Sequence, residues 1–330
     1  MIDWLPVAFV AMMGLAMFLY VVLDGYDLGV GILLRHADDA QKNTMIASIG
    51  PFWDANETWL VLGVGILLTA FPIAHGIILT ALYLPVAIML AGLILRGVAF
   101  DFRAKAHDKH KHLWDFAFCA GSIIASFAQG FMLGQYIVGF SYTLPHVLFS
   151  TLIGFCVIAG YALIGACWLI MKTENDLQKR AVKWARHALW FTALGVVLVS
   201  VATPLVSPRI FDKWFSLPNL FLLAPIPIVT GILFIGMVWL LRHLPQPGDR
   251  LCWLPFIGTI GINVLCFYGM AYSFFPYIVQ DKLTIWQAAA AHDSLMFIFV
   301  GAIIVLPTIL VYTAFSYRVF RGKVRELSYE

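Results

Sequence analysis

The first long apolar stretch of the chain, residues 5–23, has the sequence LPVAFVAMMGLAMFLYVVL. About 20 such residues in an α-helix cross the roughly 30 Å hydrocarbon core of a bilayer. A transmembrane β-strand would instead alternate apolar and polar residues over about 10 positions, and this stretch shows no such alternation. The run therefore predicts an α-helix that spans a membrane.

The composition of the whole chain agrees with that interpretation. Of its 330 residues, 62% are hydrophobic and only 12% are charged, which is about half the charged share that is typical of soluble domains. These proportions exclude a disordered chain and a soluble globular domain. The formal net charge is only +3, and we do not expect nucleic acid as a partner.

Similar apolar runs recur along the chain and predict nine transmembrane helices. The predicted spans are residues 5–34, 51–71, 73–95, 113–138, 147–171, 188–206, 217–241, 251–275 and 288–316. The polar links between them are too short to form separate domains. We therefore expect an all-α integral membrane protein that forms a single polytopic domain over residues 1–330.

The Lys and Arg residues predict the orientation of the chain in the membrane. Of the 21 basic residues, only Arg209, Lys213 and Lys282 fall on the side that holds the N-terminus, which leaves 18 in the odd-numbered loops and the C-terminal tail. Cytoplasmic loops carry such an excess of basic residues. The N-terminus should thus lie outside and the C-terminus in the cytoplasm, in agreement with an odd number of spans.

The second predicted span contains carboxylates. Its purely apolar part, residues 59–71, is too short to cross the bilayer at 1.5 Å per residue, so the preceding PFWDANET (51–58) must supply the remaining turns. Asp54 and Glu57 should therefore be embedded, where a charge near the bilayer centre costs roughly 2.5–3.5 kcal/mol and normally faces the bundle interior. The alternative is an interfacial helix start, whose acidic first turn the helix dipole favours.

A second acidic pair, Asp24 and Asp27, lies near the end of the first span, and its spacing of three puts both side chains on neighbouring parts of one helical face. The third span ends in a further charged group, Arg96, Asp101 and Arg103. In the predicted orientation all these residues lie toward the cytoplasm. Carboxylates that close cannot all ionise cheaply, so an arginine compensates them or some stay protonated, and both outcomes suit a proton route. The alternative is a salt-bridged packing cluster around Arg96.

Three motifs make the chain similar to a known family. LDGYDLGVG (23–31), GPFWDANETW (50–59) and RGVAFDFR (96–103) resemble subunit II of the cytochrome bd quinol oxidases, and the short chain resembles the cyanide-insensitive branch of that family. The likeness in length and number of spans covers the whole chain, but its specific part is the first 103 residues. The sequence departs from the family pattern at Ala55, where we expect Gly, and at Tyr26, where Phe is more common.

The resemblance implies a haem-free subunit of a respiratory complex that oxidises quinol and reduces oxygen to water. Haem b558, haem b595, haem d and the quinol site are then expected in the partner subunit I. This chain should hold no cofactor or metal, apart from a bound quinone or lipid at the interface. The positions of the nine histidines agree, because all lie in loops or at the ends of spans, whereas a haem inside a bundle usually needs an axial ligand on a helix.

The same resemblance implies an architecture, partners and a location. We expect two four-helix bundles plus one peripheral helix, multi-pass in the bacterial cytoplasmic (inner) membrane. The expected partners are subunit I, membrane lipids and a small single-helix accessory subunit, with quinol as the substrate of the complex. The histidine-rich stretch 107–112 is interpreted as a solvated basic loop and not as a metal site.

Residues in matching motifs receive expected roles. The proton-path candidates are Asp24, Asp27, Asp54, Glu57 and Asp101. Arg96 and Arg103 would compensate charge, and Trp59 would line an oxygen route or simply pack. No residue of this chain is assigned to catalysis itself. Two other functions remain open: a purely structural subunit, and a proton-coupled transporter that uses the same carboxylates around a central cavity. A transporter should place ionisable residues toward both sides, whereas here they crowd one side.

Overall fold

In the computed structural model, the chain folds into long α-helices and one small hairpin. The structure describes residues 4–324, except for the side chains of Ala104, Asp108 and Lys109. The helices are α1 (Leu5–Leu33), α2 (Asp39–Ile49), α3 (Trp53–Ala70), α4 (Pro72–Lys105), α5 (Asp108–Ile137), α6 (Leu144–Lys172), α7 (Asn175–Val206), α8 (Pro208–Phe215), α9 (Asn219–Leu223), α10 (Pro225–His243), α11 (Leu254–Phe274), α12 (Ile285–Ala288) and α13 (His292–Val319). The strands are β1 (Tyr277–Val279) and β2 (Leu283–Thr284), which pair in an antiparallel sense.

Within the described residues 4–324, eight helical segments are long and apolar enough to cross a membrane, and they contain α1, α4, α5, α6, α7, α10, α11 and α13. They coincide with eight of the nine predicted spans. The remaining predicted span, 51–71, corresponds to α3, which has 18 residues. Its first turns hold Asp54, Asn56 and Glu57, and these polar side chains leave α3 without an apolar stretch long enough to cross the bilayer by itself.

Two details differ from the expectation. The fold is not wholly α-helical, because β1 and β2 form a hairpin before the last helix. Several helices also continue past their apolar runs: α4 extends to Lys105, and α7 already begins at Asn175. The polar residues at these ends continue the helical hydrogen bonding beyond the apolar core.

The helices pack in two groups. In the first, α1 packs against α3 and α5, and α4 packs against α5. In the second, α6 packs against α7 and α11, and α10 packs against α11. The two groups meet where α6 packs against α5 and crosses α1, while α13 contacts α1 and buries only Leu295. The expected pair of four-helix bundles with one peripheral helix stays a prediction.

Glycine sets the crossing of α1 and α6. A Cβ atom on Gly29 would lie 1.8 Å from the carbonyl oxygen of Tyr161, and one on Gly165 would lie 2.5 Å from the backbone carbon of Gly29. No side chain fits at either position. The close approach is typical of small residues between membrane helices, and it brings the acidic face of α1 into the centre of the molecule.

Candidate functional site

Charged side chains of α1, α3 and α4 meet in the interior of the bundle. Asp24 and Asp27 are 0% exposed, and Arg96 is 1% exposed. The side chain of Glu57 is 29% exposed and lies at the edge of this group. Removing a charge from water costs several kcal/mol, so charges in such positions require partners. We call these four residues the acidic cluster.

Arg96 is the cation of the acidic cluster. Its Nη1 atom lies 2.7 Å from Oδ1 of Asp24, and its Nη2 atom donates a hydrogen bond to Oε1 of Glu57. The arginine thus pairs with one carboxylate from α1 and one from α3. Of the predicted residues, the structure brings together Asp24, Asp27, Glu57 and Arg96, and the guanidinium of Arg96 contacts two of the carboxylates.

The acidic cluster contains more acceptors than donors. Neither oxygen of Asp24, nor Oδ1 of Asp27, accepts a hydrogen bond from the described part of the chain. The Asp24–Arg96 contact is short, but its angles are not those of a hydrogen bond, so we describe it as an ion pair. Three ionised carboxylates beside one guanidinium would carry a net charge of −2. Binding a proton relieves this excess, and the cluster can therefore hold and exchange protons.

Asn56 connects Asp27 to two tyrosines. Its Nδ2 atom donates to Oδ2 of Asp27 at 2.7 Å and to the hydroxyl of Tyr26 at 3.0 Å. The hydroxyl of Tyr317 donates to Oδ1 of Asn56 at 3.1 Å. Sequence reasoning missed these residues. Asn56 and Tyr26 lie inside the acidic motifs and could have been noticed, whereas Tyr317 lies far away in the chain and carries no local signal.

A second polar chain begins beside Asp24. Tyr20 lies one helical turn before Asp24 on α1, and its hydroxyl accepts a 2.6 Å hydrogen bond from Nε2 of Gln129 on α5. The hydroxyl of Tyr161 on α6 donates to Oε1 of the same glutamine at 2.6 Å. These residues extend the polar interior by about 6 Å along α1. They were not predicted either.

Asp54 and Asp101 lie outside the acidic cluster, because no other part of this chain covers their side chains. Arg96 pairs with Asp24 and Glu57 and not with Asp54, and the embedding of Asp54 in the membrane stays a prediction. Helix α3 begins at Trp53. Asp54 therefore lies in the first turn, about one turn closer to the N-terminal end of the helix than Glu57. This position matches the alternative of an acidic helix start that the dipole favours.

Arg103 belongs to a different group of charges. It is buried, its Nε atom donates to Oδ1 of Asp115, and its Nη1 atom donates to Oδ1 of Asn43 at 2.9 Å. Lys42 lies 3.2 Å from Asp115 and 2.9 Å from Asp39. Burial lowers the pKa of Lys42, but its hydrogen bonds to the two carboxylates outweigh burial and hold the pKa above its ordinary value. Arg103 thus compensates Asp115, a partner that the sequence did not suggest.

Trp59 is a packing residue in this structure. It is 2% exposed and lies in a hydrophobic cluster with Ala16 and Tyr20 of α1. This contact anchors α3 to α1 just beyond the acidic cluster. These contacts agree with a packing role, and the oxygen route stays a prediction.

The donor set of the chain does not suit a haem inside the bundle. All nine histidines are exposed or partly exposed. Within residues 4–324, no group of three or more His, Cys, Asp or Glu side chains is placed to hold a metal ion. The side chains of Asp108 and Lys109, in the histidine-rich stretch, lie outside the described residues. No histidine is thus positioned as an axial ligand in the bundle.

The fold and the site define a polytopic helical membrane protein with buried carboxylates paired to one arginine. Comparison with known proteins identifies its family. Residues 5–320 match the profile of the cytochrome bd terminal oxidase subunit II family, and the chain belongs to that family.

Individual relatives agree with this assignment. The chain is 29% identical over 326 aligned positions to cytochrome bd ubiquinol oxidase subunit 2 of Bacillus subtilis (strain 168), with 92% of each chain covered. It is 26% identical over 371 positions to cytochrome bd-I ubiquinol oxidase subunit 2 of Escherichia coli (strain K12), with 98% and 97% covered. The solved bd oxidase from Geobacillus thermodenitrificans shares the fold, with a TM-score of 0.80 and 19% identity over 96% of this chain and 99% of that chain.

Proposed function

We propose that the chain supports the haem-bearing subunit I of a membrane quinol oxidase and carries part of its proton route from the cytoplasm. Family membership makes the chain a subunit of a cytochrome bd terminal oxidase. Two of its relatives are named as subunit 2 of cytochrome bd-type ubiquinol oxidases. These relationships do not favour the alternative of a proton-coupled transporter.

The acidic cluster carries the proton-route proposal. Exposure falls along α3 and into the bundle, from the surface residue Asp54 through the partly exposed Glu57 to the buried Asp24 and Asp27. Glu57 and Asp24 contact the same guanidinium, that of Arg96. A proton taken up at Glu57 would pass to the buried carboxyls as one O–H bond breaks and another forms. Asp54 and Asp101 would collect protons at the surface.

The arrangement in the membrane is part of the proposal. We infer nine spanning helices, with α3 as the ninth, in one domain over residues 1–330 of the bacterial inner membrane. The basic residues support an outside N-terminus and a cytoplasmic C-terminus. Large apolar side chains remain exposed on α13, among them Phe297, Val311 and Phe315. They would face lipid, a bound quinone, an accessory subunit or subunit I.

Haem spectra test whether the haems are bound by subunit I and not by this chain. Purified alone in mild detergent, the chain should lack haem absorption bands, and it should copurify with the bands of haem b558, haem b595 and haem d only when subunit I is coexpressed. The physical reason is that its histidines lie outside the bundle interior. Stoichiometric haem in the isolated chain would contradict the proposal.

Cysteine labelling tests the orientation. An engineered cysteine near Pro218 should react with a membrane-impermeant reagent added from outside, and one near Asp108 should not. The two sites lie in loops on opposite sides in the predicted arrangement. The reverse labelling pattern would refute it.

A further inference from the structure

A ring of hydrogen bonds joins the last helix to the acidic cluster. The Tyr317 hydroxyl donates to Oδ1 of Asn56, Nδ2 of Asn56 donates to the Tyr26 hydroxyl, and the two hydroxyl oxygens lie 2.6 Å apart. Because the proton of Tyr317 is already used at Asn56, Tyr26 must donate to Tyr317. Each of the three side chains therefore donates once and accepts once around the ring.

The ring holds the amide of Asn56 in place beside Asp27. An amide has two N–H protons. One is used at Tyr26, which leaves the other for Oδ2 of Asp27 at 2.7 Å, with the carbonyl of Leu23 further away at 3.2 Å. If the amide were turned over, its oxygen would face the carboxylate of Asp27 and the carbonyl of Leu23, which both only accept. These two acceptors fix which way the amide faces, and the hydrogen bonds to the two tyrosines hold it in that place.

Tyr317 is fixed although its helix is peripheral. Its ring stacks on Phe52, with centroids 4.5 Å apart and an interplanar angle of 23°. Just beyond the helix, Nζ of Lys172 donates to the carbonyl of Phe320 at 2.6 Å, and the backbone N–H of Val324 donates to the carbonyl of Lys172 at 2.9 Å. The end of α13 is thereby tied to the end of α6.

We propose that Tyr317 and Tyr26 are positioning residues for proton transfer at Asp27. The ring keeps Asn56 bonded to Oδ2, so that Oδ1 is the oxygen that takes up and releases the proton. Oδ1 is buried and accepts no hydrogen bond from the described side chains. The transfer moves one proton, with no change in oxidation state. This inference rests on the proposed role of Asp27 in the proton route.

The test uses the assembled oxidase in membranes and four variants: Tyr317→Phe, Tyr26→Phe, the double variant, and Tyr312→Phe as a control. Tyr312 lies on the same helix and is 67% exposed. We expect full haem content in all four, and turnover lowered by roughly 3- to 10-fold in each single ring variant, the effect of one lost hydrogen bond. The double variant should be no slower than either single variant, because the ring acts as a unit. Tyr312→Phe should turn over normally.

Infrared difference spectra provide a readout that a merely structural role would not change. The carboxyl stretching band that disappears in Asp27→Asn should shift in both single ring variants and stay in place in Tyr312→Phe. An unshifted band, additive slowing in the double variant, or slowing that only follows haem loss would overturn the inference. Normal turnover of Asp27→Asn would instead refute the proposed proton route, and this result is distinguishable because it does not involve the tyrosines.

Discussion

Arg96 and Asp24 form an ion pair inside the bundle, with Nη1 of the arginine 2.7 Å from Oδ1 of the aspartate and both side chains buried. Glu57 binds the other terminal nitrogen of the same guanidinium. Because the three partners come from α4, α1 and α3, the pairing joins three helices. Breaking a buried pair by removing one partner costs about 3–5 kcal/mol, so the cluster has structural as well as chemical consequences.

Replacing the arginine should therefore impair assembly. In Arg96→Gln, the buried carboxylates lose their cation, and we expect much less intact complex in membranes. Haem content and size-exclusion profiles measure this. Arg35→Gln is the matched control, because Arg35 is exposed near the end of α1 and its loss should leave assembly normal. Equal yields of the two variants would contradict the structural role of Arg96.

Substitutions of the carboxylates should slow turnover by different amounts, and the slowing should be larger where the carboxylate is more buried. Glu57→Gln should slow oxygen consumption per haem by roughly 10- to 100-fold, the range typical of lost proton transfer. Asp54→Asn and Asp101→Asn should have smaller effects, because both residues are exposed and water can deliver protons past them. Assembly of the two surface variants should be normal. A larger effect at Asp54 than at Glu57 would reverse the proposed order of the route.

The crossing of α1 and α6 can be tested with a pair of glycines on α6. A Cβ atom at Gly165 would lie 2.5 Å from the backbone carbon of Gly29, whereas one at Gly160 would have no atom within 4 Å. Overpacking of this kind costs about 1–3 kcal/mol or more. Gly165→Ala should lower the thermal stability of the complex and its haem retention, and Gly160→Ala should not. Identical melting curves would argue against the tight crossing.

The attachment of residues 320–324, here called the C-terminal segment, to the rest of the protein should depend on a surface ion pair. Asp249 lies 2.6 Å from Nζ of Lys323 and accepts a 2.7 Å hydrogen bond from Gln178. Burial raises the pKa of Asp249, but its hydrogen bonds, that to Lys323 first, outweigh burial and hold the pKa below its ordinary value. A depressed pKa means that the stabilisation is present above the ordinary aspartate pKa and is lost only as the pH falls through the lowered one. The segment should thus stay attached at neutral pH.

Asp249→Asn should release this segment at neutral pH, with faster hydrogen exchange over residues 320–324. Asp176→Asn is the control, since Asp176 pairs with Lys179 on the surface and has no contact with the C-terminal segment. Unchanged exchange in Asp249→Asn would show that the backbone bond from Val324 to Lys172 is sufficient.

The sequence indicated the spans well, because long apolar runs determine where helices cross a bilayer. Helix α3 covers Trp53–Ala70, close to the predicted 51–71. Most of the acidic cluster was also predictable, since Asp24, Asp27 and Arg96 stand out as ionisable residues at the ends of apolar runs. Asp54 does not join the cluster because it lies in the first turn of α3, and the sequence pattern does not show on which side of that turn the neighbouring helices pack.

The hydrogen-bond partners of the acidic cluster were not predictable. Tyr317 bonds to Asn56 across 261 positions of the chain, and Gln129 bonds to Tyr20 across 109. Such contacts depend on which helices become neighbours, and hydrophobic periodicity does not determine this. The same holds for Arg103 and Asp115, which meet because α4 continues past its apolar run and packs against α5.

Proton uptake measured during a single turnover shows whether Asp27 lies on the proton route. Fully reduced, purified oxidase is mixed with oxygen in the presence of a pH-sensitive dye, and the wild-type chain is compared with Asp27→Asn at equal haem content. We expect proton uptake and the oxygen reaction to slow together by roughly 10- to 100-fold in Asp27→Asn, while Asp39→Asn, a change at an exposed residue paired with Lys42, has no effect. Proton uptake at the wild-type rate in a fully assembled Asp27→Asn enzyme would refute a role of Asp27 in the proton route.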